Sequence, residues 1–598
     1  MQRSEIKEVD KWDLTKIFKD EKEYNELYEK TIVIIGKIVQ MKGRITERDK
    51  TLLEYLQLDE ELDKCYKKIC VYSYLSFYEN LTDEKGKALV ARVEKLTKRI
   101  NEECSFASSE LLKVSYDYIK SLVSQNDDLK KYEFELEKLF RYENHVLSEE
   151  EEKIISMAFN AFGTSQNAFR ALNDSDSEYG SIIIDGKEVK ITHSSYLKLM
   201  QHNNREIRRE AFEKLYKFYA QHKDTIAQLY KGQLREDVFV AKVRKFISPL
   251  EKALYSDDID LDVYKNLIDT IHKKLYVLHN YLDFRRQFLG LDELHMYDMY
   301  VDLVSGEEKT YTFEEGKDII LQAVEPLGEQ YVKDLTKAFE NRWIDKYPND
   351  GKKSGAFQWG YYGIDPFVSI NFNGTVKSID TAAHELGHAM HTFYSDKKQE
   401  YIYSQYPIFL AEIASTVNQV LLKEYLINNA KTDEEKLFYI ASLLDEFRST
   451  LYRQTMFAEF EMVMHGKEQN EEIITMETLA STYYDLNKLY YGEDVVSDEL
   501  IMYEWSRISH FYRPFYVYKY ATGFSAALAI VSDILNGKEG AQERYLEFLS
   551  SGGSDYPLEI LKKCGVDMTT SEPIEKATKI FEDKLSMAME LKLKIRSK

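Results

Sequence analysis

Residues 378–394 read SIDTAAHELGHAMHTFY, and within them His384-Glu385-Leu386-Gly387-His388 forms the pattern H-E-x-x-H. Residues four apart on a helix lie one above the other on one face, so His384 and His388 can grip one metal ion. Glu385 then leans toward the open side of that ion, where it can act as a general base on water. Ser378 or Asp380 can cap the start of the helix, Ala382, Ala383, Ala389 and Met390 favour its interior, and no proline interrupts it. His391 follows at i+7, about 10 Å along the axis, too far to join the same ion. It is left to face substrate, support a ligand or simply pack.

A third ligand must come from elsewhere. The run from 401 to 422, YIYSQYPIFLAEIASTVNQVLL, carries Glu412 as its one charged residue. Pro407 suits a first helical turn, and Phe409, Leu410, Ile413, Ala414 and Val417 make the helix apolar over most of its surface. A carboxylate buried there needs a partner, either a metal ion or an arginine from elsewhere in the chain. With H-E-x-x-H upstream, the metal is preferred, and two His nitrogens, one Glu oxygen and a water would make a catalytic zinc site. Ser415, one turn on, can support the carboxylate.

The surrounding chain is read as a frame for that site. Of 598 residues 44% are hydrophobic and only 8 are proline and 25 glycine, which favours a mainly α globular body. A formal net charge of −22 disfavours nucleic acid and anionic membrane surfaces as partners. The opening MQRSEIKEVDKWDL has no apolar signal segment and no later run approaches a membrane span. Four irregularly spaced cysteines make no disulfide framework, so a reducing, cytoplasmic setting is expected.

Helical periodicity predicts helices at 23–41, 52–78 and 88–119, later ones from 195 to 290, and another over 314–341. Ser181 to Thr192 reads as a hairpin turning at Asp185-Gly186, which marks a seam between an N-terminal helical region (1–190) and a catalytic region (191–598). Arg205, Arg208, Arg209, Lys214 and Lys217 alternate with glutamates and read as a solvated face. Pro366 to Phe372 alternates like a strand leading into the metal helix. A sheet edge there can hold an extended peptide by its backbone, or merely prop the helix. Further on, Pro514 can begin a helix on which Tyr516, Tyr520 and Gly523 share a face, close to His510. A phenol or an imidazole can donate to the oxyanion formed on a carbonyl, although in a chain with 45 tyrosines composition alone favours packing.

GKKSGAFQ at 351–358, PFVSINFNGTVKSIDTAAHELGHAMH at 366–391, FLAEIASTVNQ at 409–419, HFYRPFYVYKYATGFSAA at 510–527 and FLSSGGSDYP at 548–557 together resemble oligoendopeptidase F. That is a bacterial branch of the thimet oligopeptidase and neurolysin family of zinc peptidases. The likeness spans nearly the whole chain, loosely in its N-terminal part. It implies a large, two-lobed helical body with a deep channel, a small sheet beside the metal helix, one Zn²⁺ per chain and internal cleavage of short peptides. His384, His388 and Glu412 match the family's ligands, Glu385 its base, and His510 the histidine that contacts substrate. Tyr520 is the expected oxyanion donor with Tyr516 in reserve, and Gly355, Ala356 and Phe357 are the expected peptide edge. Gln419 stands where this branch is expected to carry an acidic residue. The rival readings are a related metallocarboxypeptidase, a helical scaffold with structural zinc, and a zinc-containing peptide-binding protein without turnover.

Overall fold

The computed structural model describes residues 2–304 and 309–597, and it is mainly helical with a few short strands. The chain forms two compact units. One comprises Met1–Val146, Glu308–Leu422 and Ile530–Gly565, the other Leu147–Glu307, Lys423–Ala529 and Val566–Lys598. Residue 190 falls inside the second unit, and each unit draws on chain from both sides of it.

The first unit begins with helices Glu21–Gln40, Asp49–Glu79 and Glu84–Cys104. Asp20 and Asp83 cap the first and third by accepting backbone N–H groups of Glu23 and Gly86. The helix expected over 88–119 ends early. The chain breaks at Ser105, and Ser115 caps a new helix, Tyr116–Gln125. The apolar faces of these helices share one core with Phe367, against which Phe357 and Trp359 pack. Full burial of each such side chain contributes about 1.5–3 kcal/mol. The helix expected over 314–341 is two, Phe313–Ala323 and Glu329–Glu340. Pro326 cannot donate within a helix and Gly328 takes a positive φ, so the chain turns between them.

Phe367 stands in the middle of a three-stranded sheet. Strand Phe367–Ser369 runs parallel to Ile344–Asp345 and antiparallel to Phe357–Trp359, with Phe357 opposite Ser369 and Trp359 opposite Phe367. The central strand is buried throughout, and Phe357–Trp359 lies at the edge. Helix Val376–Lys398, which carries the H-E-x-x-H motif, packs on both of these strands. The small sheet beside the metal helix is thus present. The cap differs from expectation: the Thr375 hydroxyl accepts the Ser378 N–H at 3.2 Å, and Asp380 lies inside the helix.

The second unit contains the expected hairpin. Ser181–Ile184 pairs with Lys187–Lys190, and Asp185 and Gly186 both take positive φ, as a tight two-residue turn requires. Its longest helix is Arg205–Val243. The basic cluster on that helix is not all solvated: Arg208 is buried, and with Arg205 it pins the buried Asp298 carboxylate at 2.7 and 2.8 Å. An uncompensated carboxylate could not be buried there, and the two guanidiniums supply the compensation. The interior of this unit is rich in tyrosine, including Tyr216, Tyr230, Tyr264 and Tyr483.

Candidate active site

The two motif histidines project from one face of helix Val376–Lys398, their ring centres 4.8 Å apart. Glu412 lies on helix Ile408–Asn429, in the part that belongs to the same unit. Its Oε2 is 3.5 Å from His384 Nε2 and 3.7 Å from His388 Nε2. Bonds of about 2.0–2.2 Å in tetrahedral array place neighbouring donors roughly 3.4 Å apart. Two imidazoles and a carboxylate at these separations therefore fit one such ion, and theirs is the one His/Cys/Asp/Glu group of this kind among the described residues.

The two helices approach so closely because of Gly387. A Cβ at that position would stand 2.6 Å from Ser415 Cα and 2.7 Å from the Ala414 carbonyl oxygen. The glycine inside the motif is what lets Glu412 reach the histidines.

Each ring is also oriented. Gln419 Nε2 donates to Asp380 Oδ2 at 2.7 Å, which turns Gln419 Oε1 toward His384 Nδ1 at 2.8 Å. Since a carboxylate only accepts, the amide cannot be reversed, and His384 must carry its proton on Nδ1. Its Nε2 is left with a lone pair on the Glu412 side. The His388 ring is held by the Ala411 carbonyl, while burial and the neighbouring His384 push its pKa down to about 3, so it is neutral. Ser415 donates mainly to the Glu412 backbone carbonyl at 2.9 Å, with its carboxylate farther off at 3.5 Å.

Glu385 is buried and sits between the ligands in sequence. Burial raises its pKa to about 7, the Glu412 charge adds to the rise and His384 opposes it. A carboxyl near neutrality can take and return a proton at working pH. His391 is fully buried and stacks on Tyr406 at 3.6 Å, its pKa driven well below normal by burial. It is a packed residue.

Gly355, Ala356 and Phe357, the residues expected to meet the peptide, lie at the start of the sheet's edge. The edge strand is Phe357–Trp359, so only Phe357 of the three expected residues lies in it, and its ring packs against Trp12 and Tyr78. Gly355 and Ala356 precede it and line a cavity of about 350 Å³ together with Asn371, Phe372 and the first turns of the motif helix. Gly355 needs a positive φ of 82° there, and its carbonyl accepts from Asn371 Nδ2 at 2.7 Å.

His510, Tyr516 and Tyr520 belong to the second unit, where they form a cluster of their own. The His510 Nε2 and Tyr520 hydroxyl are 3.2 Å apart, and the Tyr516 ring lies parallel to His510 with centres 6.0 Å apart. Burial lowers the His510 pKa, and Arg513 and Arg453 add to it. Pro514 does not start the helix. The chain bends at Phe515, which takes φ 55°, and helix Tyr518–Leu535 begins after it. The Phe515 N–H is held by buried Glu461 at 2.6 Å. Tyr516 thus stands before the helix and not one turn back on it.

Residues 198–580 match Peptidase family M3, and residues 110–179 match Oligopeptidase F. This chain belongs to peptidase family M3. It is 40% identical to oligopeptidase PepF of Bacillus subtilis, over 99% of this chain and 89% of that protein. An oligoendopeptidase F homolog of Borreliella burgdorferi is 37% identical over 98% of both. The crystal structure of oligoendopeptidase-F from Enterococcus faecium, 32% identical, covers 95% of this chain and 99% of its own with a TM-score of 0.75. Family M3 is one of metal-dependent peptidases, and the His384, His388 and Glu412 group is this member's candidate metal centre. Among the described residues no helix is long and apolar enough to cross a membrane.

Sequence reasoning missed the roles of five residues: Gly387 as a contact point, Asp380 as an orienter, Gln419 as the acceptor for His384, Tyr406 beneath His391, and Glu461. Gln419 carried a positional signal, since it lies seven residues from Glu412 and so on the same helix face.

Proposed function

We propose that this chain is a zinc metalloendopeptidase of short peptides, working in a reducing, cytoplasmic setting. The observation that carries the proposal is the convergence of His384 Nε2, His388 Nε2 and a Glu412 oxygen beside a buried Glu385. The names of the relatives, oligopeptidases and oligoendopeptidases, support internal cleavage and short substrates. Four free cysteines agree with the compartment.

A zinc ion held by the three ligands would supply Lewis-acid activation of the attacking water and of the scissile carbonyl. Glu385 takes the proton from that water and later delivers it to the leaving nitrogen. Gln419 and Asp380 keep His384 in the tautomer that leaves Nε2 free. His510 and Tyr520 are assigned as donors to the developing oxyanion, with Tyr516 in reserve. The region at Gly355, Ala356 and Phe357 is assigned to the extended substrate backbone.

The test combines metal analysis with product mapping. The purified protein should hold about one zinc per chain, lose activity to a chelator and regain it with Zn²⁺. A mixed pool of short peptides should yield internal fragments. Release of single C-terminal residues would show a carboxypeptidase instead, and zinc without fragments would show a binding protein.

A further inference from the structure

Phe515 takes φ 55°, a left-handed conformation that is strained for a residue with a Cβ. It stands at the bend on which the candidate oxyanion donors converge, with His510 before it and Tyr516 and Tyr520 after it. Across this bend the Tyr520 ring meets both His510 and Tyr516 edge-on, with centres 5.7 and 5.6 Å apart. The Tyr520 hydroxyl is 3.2 Å from His510 Nε2. Where the three side chains meet is therefore set by how the chain turns at Phe515.

One helix, Arg453–Gln469, holds that turn. The fully buried Glu461 accepts the Phe515 N–H at 2.6 Å, and its Oε2 meets no donor among the described residues. One helical turn on, His465 lies against the Phe515 ring with centres 4.5 Å apart. His465 is fixed in its turn by the Glu461 backbone carbonyl at 2.9 Å and by Asp237 Oδ2 at 3.0 Å. Tyr264 meets the same ring edge-on at 5.8 Å and donates to the Ala458 carbonyl of the helix at 2.7 Å. A carboxyl group buried with one oxygen unmet is costly, and an apolar side chain would fill the space with less penalty. What an apolar side chain could not supply is the acceptor for the Phe515 N–H.

Taking His510, Tyr516 and Tyr520 as the oxyanion donors of the proposed function, we infer that Glu461 is their positioning residue. By accepting the Phe515 N–H it fixes the bend that brings the two tyrosines to His510. Such donors act only where the charge develops, and misplacement by about 1 Å costs up to roughly a hundredfold in rate. Accepting an N–H requires an oxygen lone pair and not a charge, so glutamine can replace Glu461 and an apolar residue cannot.

Glu461→Met keeps the volume and removes the acceptor. It should lower kcat by roughly tenfold to a hundredfold with KM little changed, while Glu461→Gln retains most of the parental kcat. Because the effect passes through Tyr520, adding Tyr520→Phe should cost much less in Glu461→Met than in the parent. Zinc affinity in chelator competition should stay at the parental level, since the candidate ligands belong to the other unit. Should Glu461→Met fail to fold, Glu461→Ala takes its place. A folded variant without the acceptor that keeps parental kcat would overturn the inference. So would Glu461→Gln losing as much as Glu461→Met, or Tyr520→Phe costing the same in both backgrounds. A wild-type chain that cleaves no peptide would defeat the peptidase reading instead. The crystal structure of Glu461→Met then decides: the inference expects Phe515 to leave the left-handed region and Tyr520 to part from His510, and an unchanged bend overturns it.

Discussion

Replacing Gly387 by alanine tests whether the approach of two helices, and not the ligand residues alone, makes the metal centre. The new Cβ would meet Ser415 Cα at 2.6 Å and the Ala414 carbonyl oxygen at 2.7 Å, both of them backbone atoms that no rotamer change can move. Ordinary contact between carbons needs about 3.5 Å, so the helices must part by somewhat under 1 Å. Glu412 Oε2 now sits 3.5 and 3.7 Å from the two histidine nitrogens. Displacement by that amount would bring those separations to roughly 4.3–4.6 Å, more than two bonds of about 2.1 Å can span even in a straight line. The expected result is zinc affinity lower by roughly tenfold to a hundredfold in chelator competition. Overpacking adds a stability loss of about 1–3 kcal/mol, read as a lower urea midpoint. Gly466→Ala is the control, since a Cβ in that helix meets nothing within 4 Å. It should leave zinc affinity unchanged and stability equal or slightly higher. A folded Gly387→Ala protein that holds zinc as tightly as its parent would refute the reasoning.

Glu385→Gln should keep its zinc and lose roughly a hundredfold or more in kcat, since an amide cannot accept the water's proton. Near-normal turnover would remove Glu385 as the base. Tyr520→Phe should cost roughly a hundredfold in kcat with little change in KM, and a larger loss in Tyr516→Phe would reverse their assignment. Gln419→Leu should weaken zinc binding by roughly tenfold or more, because it removes the acceptor that orients His384 Nδ1; unchanged affinity in chelator competition would show the relay to be idle. Burial holds the Glu461 carboxyl up to about 8, with His465 and the Phe515 N–H opposing. Below about pH 4.3 both folded and unfolded chains keep that proton. Between there and pH 8 only the unfolded chain releases it, so stability falls by up to about 1.4 kcal/mol per pH unit as pH rises. The stability advantage of Glu461→Gln over its parent should therefore widen from pH 5 to pH 8 in urea denaturation, and parallel curves would count against a buried, protonated Glu461.

The features legible in the sequence are those whose cause lies within a turn or two of chain. The four-residue step from His384 to His388 is a property of any α-helix, and Glu412 stands out because nothing near it is charged. Asp185-Gly186 turns tightly for reasons internal to the pair. Where the reading failed, the deciding partner was remote. Pro514 looks like a helix start, but Phe515 is bent by a carboxyl group 54 residues earlier, and the left-handed backbone persists because that acceptor and the packing of its ring against Tyr264 and His465 offset the cost. Arg208 resembles every other arginine on its helix until Asp298, 90 residues on, takes it inside. Gln419 had a readable position, yet its direction is set by Asp380, a residue that local rules offered as a helix cap. Gly387 belongs to both classes. It is visible inside the motif, but only the neighbouring helix shows that the position must be bare. The ligand set of such a centre can therefore be read along the chain, whereas the distance that makes it a centre is a property of packing.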